Sequence, residues 1–260
     1  MNCSTAPADS TSLFAATLRL DYMAGVSAVI REMQSAREQT QAVELLHEAT
    51  LRMGAEASIF ASFIREGETG RSYRLLLACD PARFAGDERV HRHELDPWLI
   101  YSQKHSEPIR SSDISIVGDA GRAAVELAQR FGFHSAVIVP APSSGGLSRI
   151  GVLCLGSSRP GYFDDEGYVT LKVVARGVAM ELHEWWLGRL REELVAGTAI
   201  TSTDLALLNH EWVGHTTKTI ARLLGLSTSS VDSRFQRLNV KLGVTSRKLA
   251  AQLAAEYGLI

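Results

Sequence analysis

Residues 220–244 read IARLLGLSTSSVDSRFQRLNVKLGV. On a helix over 231–242, Val231, Phe235, Leu238 and Leu242 fall at i, i+4, i+7 and i+11, one narrow apolar stripe. Arg234, Arg237 and Lys241 fall at i, i+3 and i+7 and form a second, basic stripe about a quarter-turn away. Ser227 suits the N-cap and Gly225 the tight turn before it. A preceding helix over about 216–224 offers Ile220, Leu223 and Leu224 to pack against the apolar stripe. Helix, glycine turn and second helix with a basic side is the helix-turn-helix plan. Periodicity alone leaves an ordinary helical hairpin with solvated arginines equally open.

The totals narrow the field. The 260 residues are enough for two domains. With 45% hydrophobic and 22% charged residues, the composition is that of a soluble globular protein. A net charge of −2 argues against a general polyanion binder. From Thr201 onward, however, seven lysines and arginines face four acids, a local balance of about +3. Such asymmetry points to a nucleic-acid-facing end. Cys3, Cys79 and Cys154 are too scattered for a metal motif or a disulfide framework, which suits a reduced, cytoplasmic protein. No run is long enough for a membrane span, and residues 1–12 read as a polar, disordered tail.

Along the chain, two amphipathic helices are expected at about 11–34 and 37–53. ASIFASFIREGETGRSYRLLLACD (57–80) reads as a hairpin around GETG. A helix opened or kinked by Pro97 follows, then a short helix closed by Gly132. HSAVIVPAP and RIGVLCLGSS flank SSGGLS as a second hairpin, and a long helix covers about 163–195. The expected fold is α+β: an α/β/α sandwich with an antiparallel sheet over 13–194, then an all-α, four-helix domain over 203–260. VAGTAITS (195–202) is the expected linker.

The last third resembles the C-terminal domain of LuxR-family transcription regulators. The resemblance rests on Ile220-Ala221, Leu224-Gly225, Ser227, Val231, Lys241-Leu242-Gly243-Val244, Ser246-Arg247 and Ala250. Two positions depart: Thr219 replaces the usual glutamate, and Asp232 the usual lysine. The resemblance implies a homodimer on inverted-repeat duplex DNA. Thr217, Lys218, Thr228, Ser229, Ser230, Ser233, Arg234 and Arg237 would meet bases or phosphates, and Lys241 the backbone. The fourth helix, through Leu249 and Leu253, would join two subunits.

The front domain is similar, more loosely, to the autoinducer-binding domain of acyl-homoserine-lactone receptors. Asp96-Pro97 match the pair that grips the ligand amide in that family; read without the family, Asp96 equally caps the helix that Pro97 opens. Other signature positions depart: Phe84 stands for a tryptophan, Glu88 and Asp80 for tyrosines, Ser111 for a second tryptophan and Ala136 for a glycine. Asp80, Glu88 and Asp96 would form an acidic mouth, with Arg83, Arg89, Arg92, His91 and His93 available to pair with it. Trp98 would narrow the cavity or stack on an aryl ligand. Tyr73, Phe60, Phe63 and Cys154 are further candidates for the pocket wall, with plain core packing the commoner role for each singly. The implied ligand is a small molecule other than a standard acyl-homoserine lactone; the alternative is a front domain that serves dimerisation alone. No enzyme and no cofactor is implied. SSGGLS is a hairpin turn and not a phosphate cradle, and His91 and His93, two apart on a helix, would diverge.

Overall fold

The computed structural model describes residues 12–64, 74–78, 96–143, 149–198 and 200–260. The chain divides into two compact units, and the division falls between His183 and Glu184, inside one long helix.

The first unit begins with α1 (Leu13–Thr17), α2 (Tyr22–Met33) and α3 (Gln39–Arg52). The single helix expected over 11–34 is broken in two. The Thr17 hydroxyl donates to the Phe14 carbonyl at 2.8 Å, a local bond that competes with helix continuation. Ser12, expected in the disordered tail, instead caps α1 by accepting from the Ala15 N–H. Residues 1–11 lie outside the described residues.

Five strands follow: β1 (Ala57–Ile64), β2 (Arg74–Ala78), β3 (Ile109–Arg110), β4 (Ser135–Pro142) and β5 (Arg149–Ser157). Their order across the sheet is β2-β1-β5-β4-β3, with β1–β2, β3–β4 and β4–β5 antiparallel. Both expected hairpins are therefore present. β4 and β5 are buried almost end to end, as strands covered on both faces must be.

Alternation sorts the two faces. Ala57, Ala61, Phe63, Ala136, Ile138, Ile150, Val152 and Cys154 share one face. Against it pack α4 (Pro97–Lys104) and the end of α5 (Gly118–Arg130), through Trp98, Leu99, Phe131 and Phe133. The other face meets α3, where the Thr50 and Ser58 hydroxyls bond at 2.5 Å. It also meets the first half of α6 (Tyr168–Thr198), where His183 lies over Gly151. α2 joins this layer through Ile30, which lies against Gly177 of α6. The α/β/α sandwich is thus formed.

The stretch 195–202, expected as a linker, is helical through Thr198, and Thr201 already caps the next helix. Valine, alanine, glycine and threonine are all tolerated in a helix when no proline intervenes.

The second unit contains α7 (Ser202–Trp212), α8 (Thr217–Leu224), α9 (Thr228–Leu242) and α10 (Arg247–Glu256). Each is started by a hydroxyl cap: Thr201, Thr216, Ser227 and Ser246. Glycines with φ of +87° (Gly214), +65° (Gly225) and +66° (Gly243) follow α7, α8 and α9, a conformation that costs other residues 1–2 kcal/mol or so. The core joins Leu207, Leu208, Ile220, Val231, Phe235, Leu238, Ala250 and Ala254.

Candidate functional sites

The apolar stripe read from the sequence of α9 is the buried one. Val231, Phe235 and Leu238 lie in the core, and Leu242 packs on its edge. The helix starts at Thr228, as the expected Ser227 cap implies, and Ser227 accepts from the Ser230 N–H at 3.1 Å. Gly225 occupies the left-handed turn that aims α9 away from α8.

The opposite side of α9 carries the candidate DNA contacts, and they divide by what already holds them. Thr228, Ser233 and Arg237 are exposed on α9, and Lys218 is exposed on α8. Arg234 is half-buried. The Ser229 and Ser230 hydroxyls both lie against the capping Ser227 oxygen, at 3.0 and 2.8 Å. The Thr217 hydroxyl accepts from Arg247 at 2.7 Å, and the Arg247 guanidinium also pairs with Glu211 at 3.1 Å. The Lys241 ammonium stands 3.3 Å from Asp204, the carboxylate of the α7 capping box. In this structure Lys241 and Thr217 therefore tie helices together, a use that their place on the sequence did not disclose. Gln236 is exposed on the same side; a neutral amide carries neither the charge nor the hydroxyl by which the sequence marks such contacts.

Leu249 is 44% exposed on α10 and Leu253 is half-buried, while Ala250, Ala251, Ala254 and Ala255 face inward. Between α7 and α10 lies a shallow groove lined by Glu211, Trp212, Lys248, Ala251 and Gln252.

In the first unit, Trp98, Phe63, Ala136 and Cys154 fall in one neighbourhood, with Asp96 close to Cys154. Pro97 opens α4, and Asp96 caps it by accepting from the Trp98 N–H at 2.8 Å. Desolvation pushes the Asp96 carboxyl above its ordinary range, outweighing the backbone N–H groups of Trp98 and Leu99. Burial likewise raises the Cys154 thiol, and the nearby Asp96 charge adds to it. Burial thus acts on Asp96 and Cys154 alike, and Trp98 belongs to the same apolar cluster as Cys154. The Trp98 and Phe133 rings stand 6.2 Å apart, and Phe133 lies over Gly156, where a Cβ would come within 2.4 Å of its ring. Ala136 is directly opposite Gly156 in the ladder.

Ser111 is used differently from the expectation. β3 pairs Arg110 with Val137, and one residue on the Ser111 hydroxyl accepts from the Ala136 N–H at 3.0 Å. The side chain continues the ladder where the strand stops, so its oxygen already serves the sheet. Phe60 takes the plain core-packing role. It alternates with Ala61 and so points to the opposite face, where its ring closes on Gly151. Phe63 faces the Trp98 side as expected. Tyr73, Asp80, Phe84 and Glu88, with the paired-charge candidates Arg83, Arg89, Arg92, His91 and His93, lie outside the described residues. Among the described residues no three metal-ligating side chains converge, and no helix is long and apolar enough to cross a membrane.

The order of a sheet unit followed by a capped four-helix unit is shared with solved structures. No protein-family model and no curated protein matches the chain by sequence. SdiA in complex with octanoyl-rac-glycerol superposes with a TM-score of 0.66 at 15% identity, over 93% of this chain and 97% of that one. Escherichia coli SdiA in another crystal form gives 0.65 at 15%, over 92% and 99%. CepR2 of Burkholderia cenocepacia, an N-acylhomoserine-lactone-dependent LuxR-family transcription factor, gives 0.54 at 14%, over 65% and 98%. The chain has the fold of these LuxR-type regulators.

Proposed function

We propose that the protein is a DNA-binding transcription regulator of the LuxR type whose first unit senses a small molecule. The observation that carries this reading is α9. It is capped at Ser227, aimed by a left-handed Gly225, docked by Val231, Phe235 and Leu238, and left with an outward side on which Ser233 and Arg237 are exposed. A helix so mounted can enter a major groove, with its N-terminal amides toward phosphate. Two copies joined through Leu249 and Leu253 of α10 would place two such helices on an inverted repeat.

The small-molecule reading rests on Asp96. A desolvated carboxylate held only by helix-start N–H groups has acceptor capacity left over, and a ligand N–H or O–H relieves its isolation. The apolar face beneath Trp98 suits an acyl or aryl body. One neighbour of this fold holds octanoyl-glycerol, a hydroxylated head on an acyl chain. That class, or another with a donor head, suits the Asp96 carboxylate.

The test is duplex binding by the full-length protein, measured by fluorescence anisotropy across a salt series, with native mass spectrometry of the same preparation. Sequence-selective binding whose affinity falls steeply with salt is expected, with a small molecule retained when the protein comes from its own host. Lack of selective binding with or without host extract refutes the regulator reading. Selective binding by protein that never carries a small molecule favours the ligand-independent form.

A further inference from the structure

We propose that Gln236 is a specificity-determining residue that reads an adenine in the operator; the inference rests on the regulator reading above. At about 100° per residue, the buried residues Val231, Phe235 and Leu238 define the inward direction of α9. Ser229, Ser233, Gln236 and Arg237 then lie within roughly 55° of the outward direction. Asp232 lies about 90° to one side, and Arg234 further round on the other, where it is half-buried. The most conspicuous charges of the helix are therefore not all at its reading edge.

Val240 is exposed on the same side but carries no hydrogen-bonding group, and Ser229 is held against the capping oxygen of Ser227. Ser233 is short and matches any base. That leaves Arg237 and Gln236 as the long side chains with directional groups. Both are exposed, and neither has a side-chain partner among the described residues. Arg237 carries the fork that fits guanine. Gln236 carries one carbonyl and one amide N–H₂ at its tip, and the adenine edge in the major groove presents one N6 donor beside one N7 acceptor. The match is bidentate and unique to adenine. Asp232 lies at the flank, about 90° from the outward direction, where a negative charge is repelled by phosphate.

The experiment is selection of duplexes from a randomised library by the full-length protein and by Q236A, Q236E and D232A, each first shown to keep wild-type helicity and melting. The wild-type protein is expected to select an operator with a fixed adenine in each half-site. Q236A loses preference at that position alone, and Q236E moves it to cytosine, whose N4 amino group donates to a carboxylate. D232A leaves the selected sequence unchanged and binds all duplexes more tightly. Replacing the adenine by purine, which lacks the N6 amino group, should weaken wild-type binding about tenfold or more and Q236A not at all. If Q236A selects the same operator with the same information at every position, or loses as much as the wild type on purine, the assignment is overturned. If the wild-type protein enriches no sequence, the regulator reading itself fails, a result separate from either of these.

Discussion

Replacing Lys241 by methionine separates two roles for one ammonium group. The substitution keeps the aliphatic stem and removes the charge that stands 3.3 Å from Asp204. A hydrogen bond to a charged group is worth about 1.5–3 kcal/mol when sheltered. The Asp204 side chain keeps 9% of its exposure, but that of Lys241 keeps 32%, so solvent screening lowers the expected loss to about 1 kcal/mol. That corresponds to roughly fivefold faster amide exchange in the first turn of α7, read by hydrogen-exchange mass spectrometry on the full chain. The pH dependence has a definite sign. Burial raises the Asp204 carboxyl, yet the hydrogen bonds from Thr201 and Lys241 outweigh it and hold the group below its ordinary value. A depressed carboxyl contributes stability that is fully present above its unfolded value, about 3.9, and is lost as pH falls through the folded value. The difference between wild type and variant should therefore persist from neutral pH to about 4 and close below it. Unchanged exchange, together with a salt slope of duplex binding reduced by about 0.9, would place the ammonium on a phosphate and refute the clamp.

Three further outcomes are expected. Asp96→Asn keeps the cap on Trp98 but removes the desolvated charge. Because burial raises the carboxyl, the ligand-free variant should melt higher than wild type at neutral pH. The gain should shrink as pH falls through the raised value, and the variant should lose its retained small molecule in native mass spectrometry. Ser111→Ala strands the buried Ala136 N–H and should cost about 1–3 kcal/mol in denaturant unfolding; a cost near zero would show the ladder does not need that hydroxyl. Cys154, whose thiol is pushed up by burial and by Asp96, should resist iodoacetamide at pH 8 in the native protein and react after denaturation, and rapid native labelling would contradict the closed site.

Much of the second unit was legible in the sequence, because its signals are local. A hydroxyl cap, a glycine after the helix and an apolar repeat at 3.6 residues are set by the backbone within a few positions, and Ser227, Gly225 and Val231 act as their spacing implied. The two hairpins and the helix opened at Asp96-Pro97 were legible for the same reason. The sequence could not show which polar groups were already engaged. Lys241 looks like a free cation until α7 brings Asp204 beside it, and Thr217 looks like a free hydroxyl until α10 brings Arg247. Ser111 reads as a lost aromatic until β3 stops one residue early and its hydroxyl takes the next rung on Ala136. Phe60 and Phe63 read alike, yet the pleat sends them to opposite faces. The long helix through Thr198 likewise overrode a composition that suggested a linker. Chain-local geometry determines where helices and strands begin. Only the packing of segments distant in sequence decides which side chains remain available to a ligand or a duplex, because hydrogen-bond partners and burial are properties of neighbours in space.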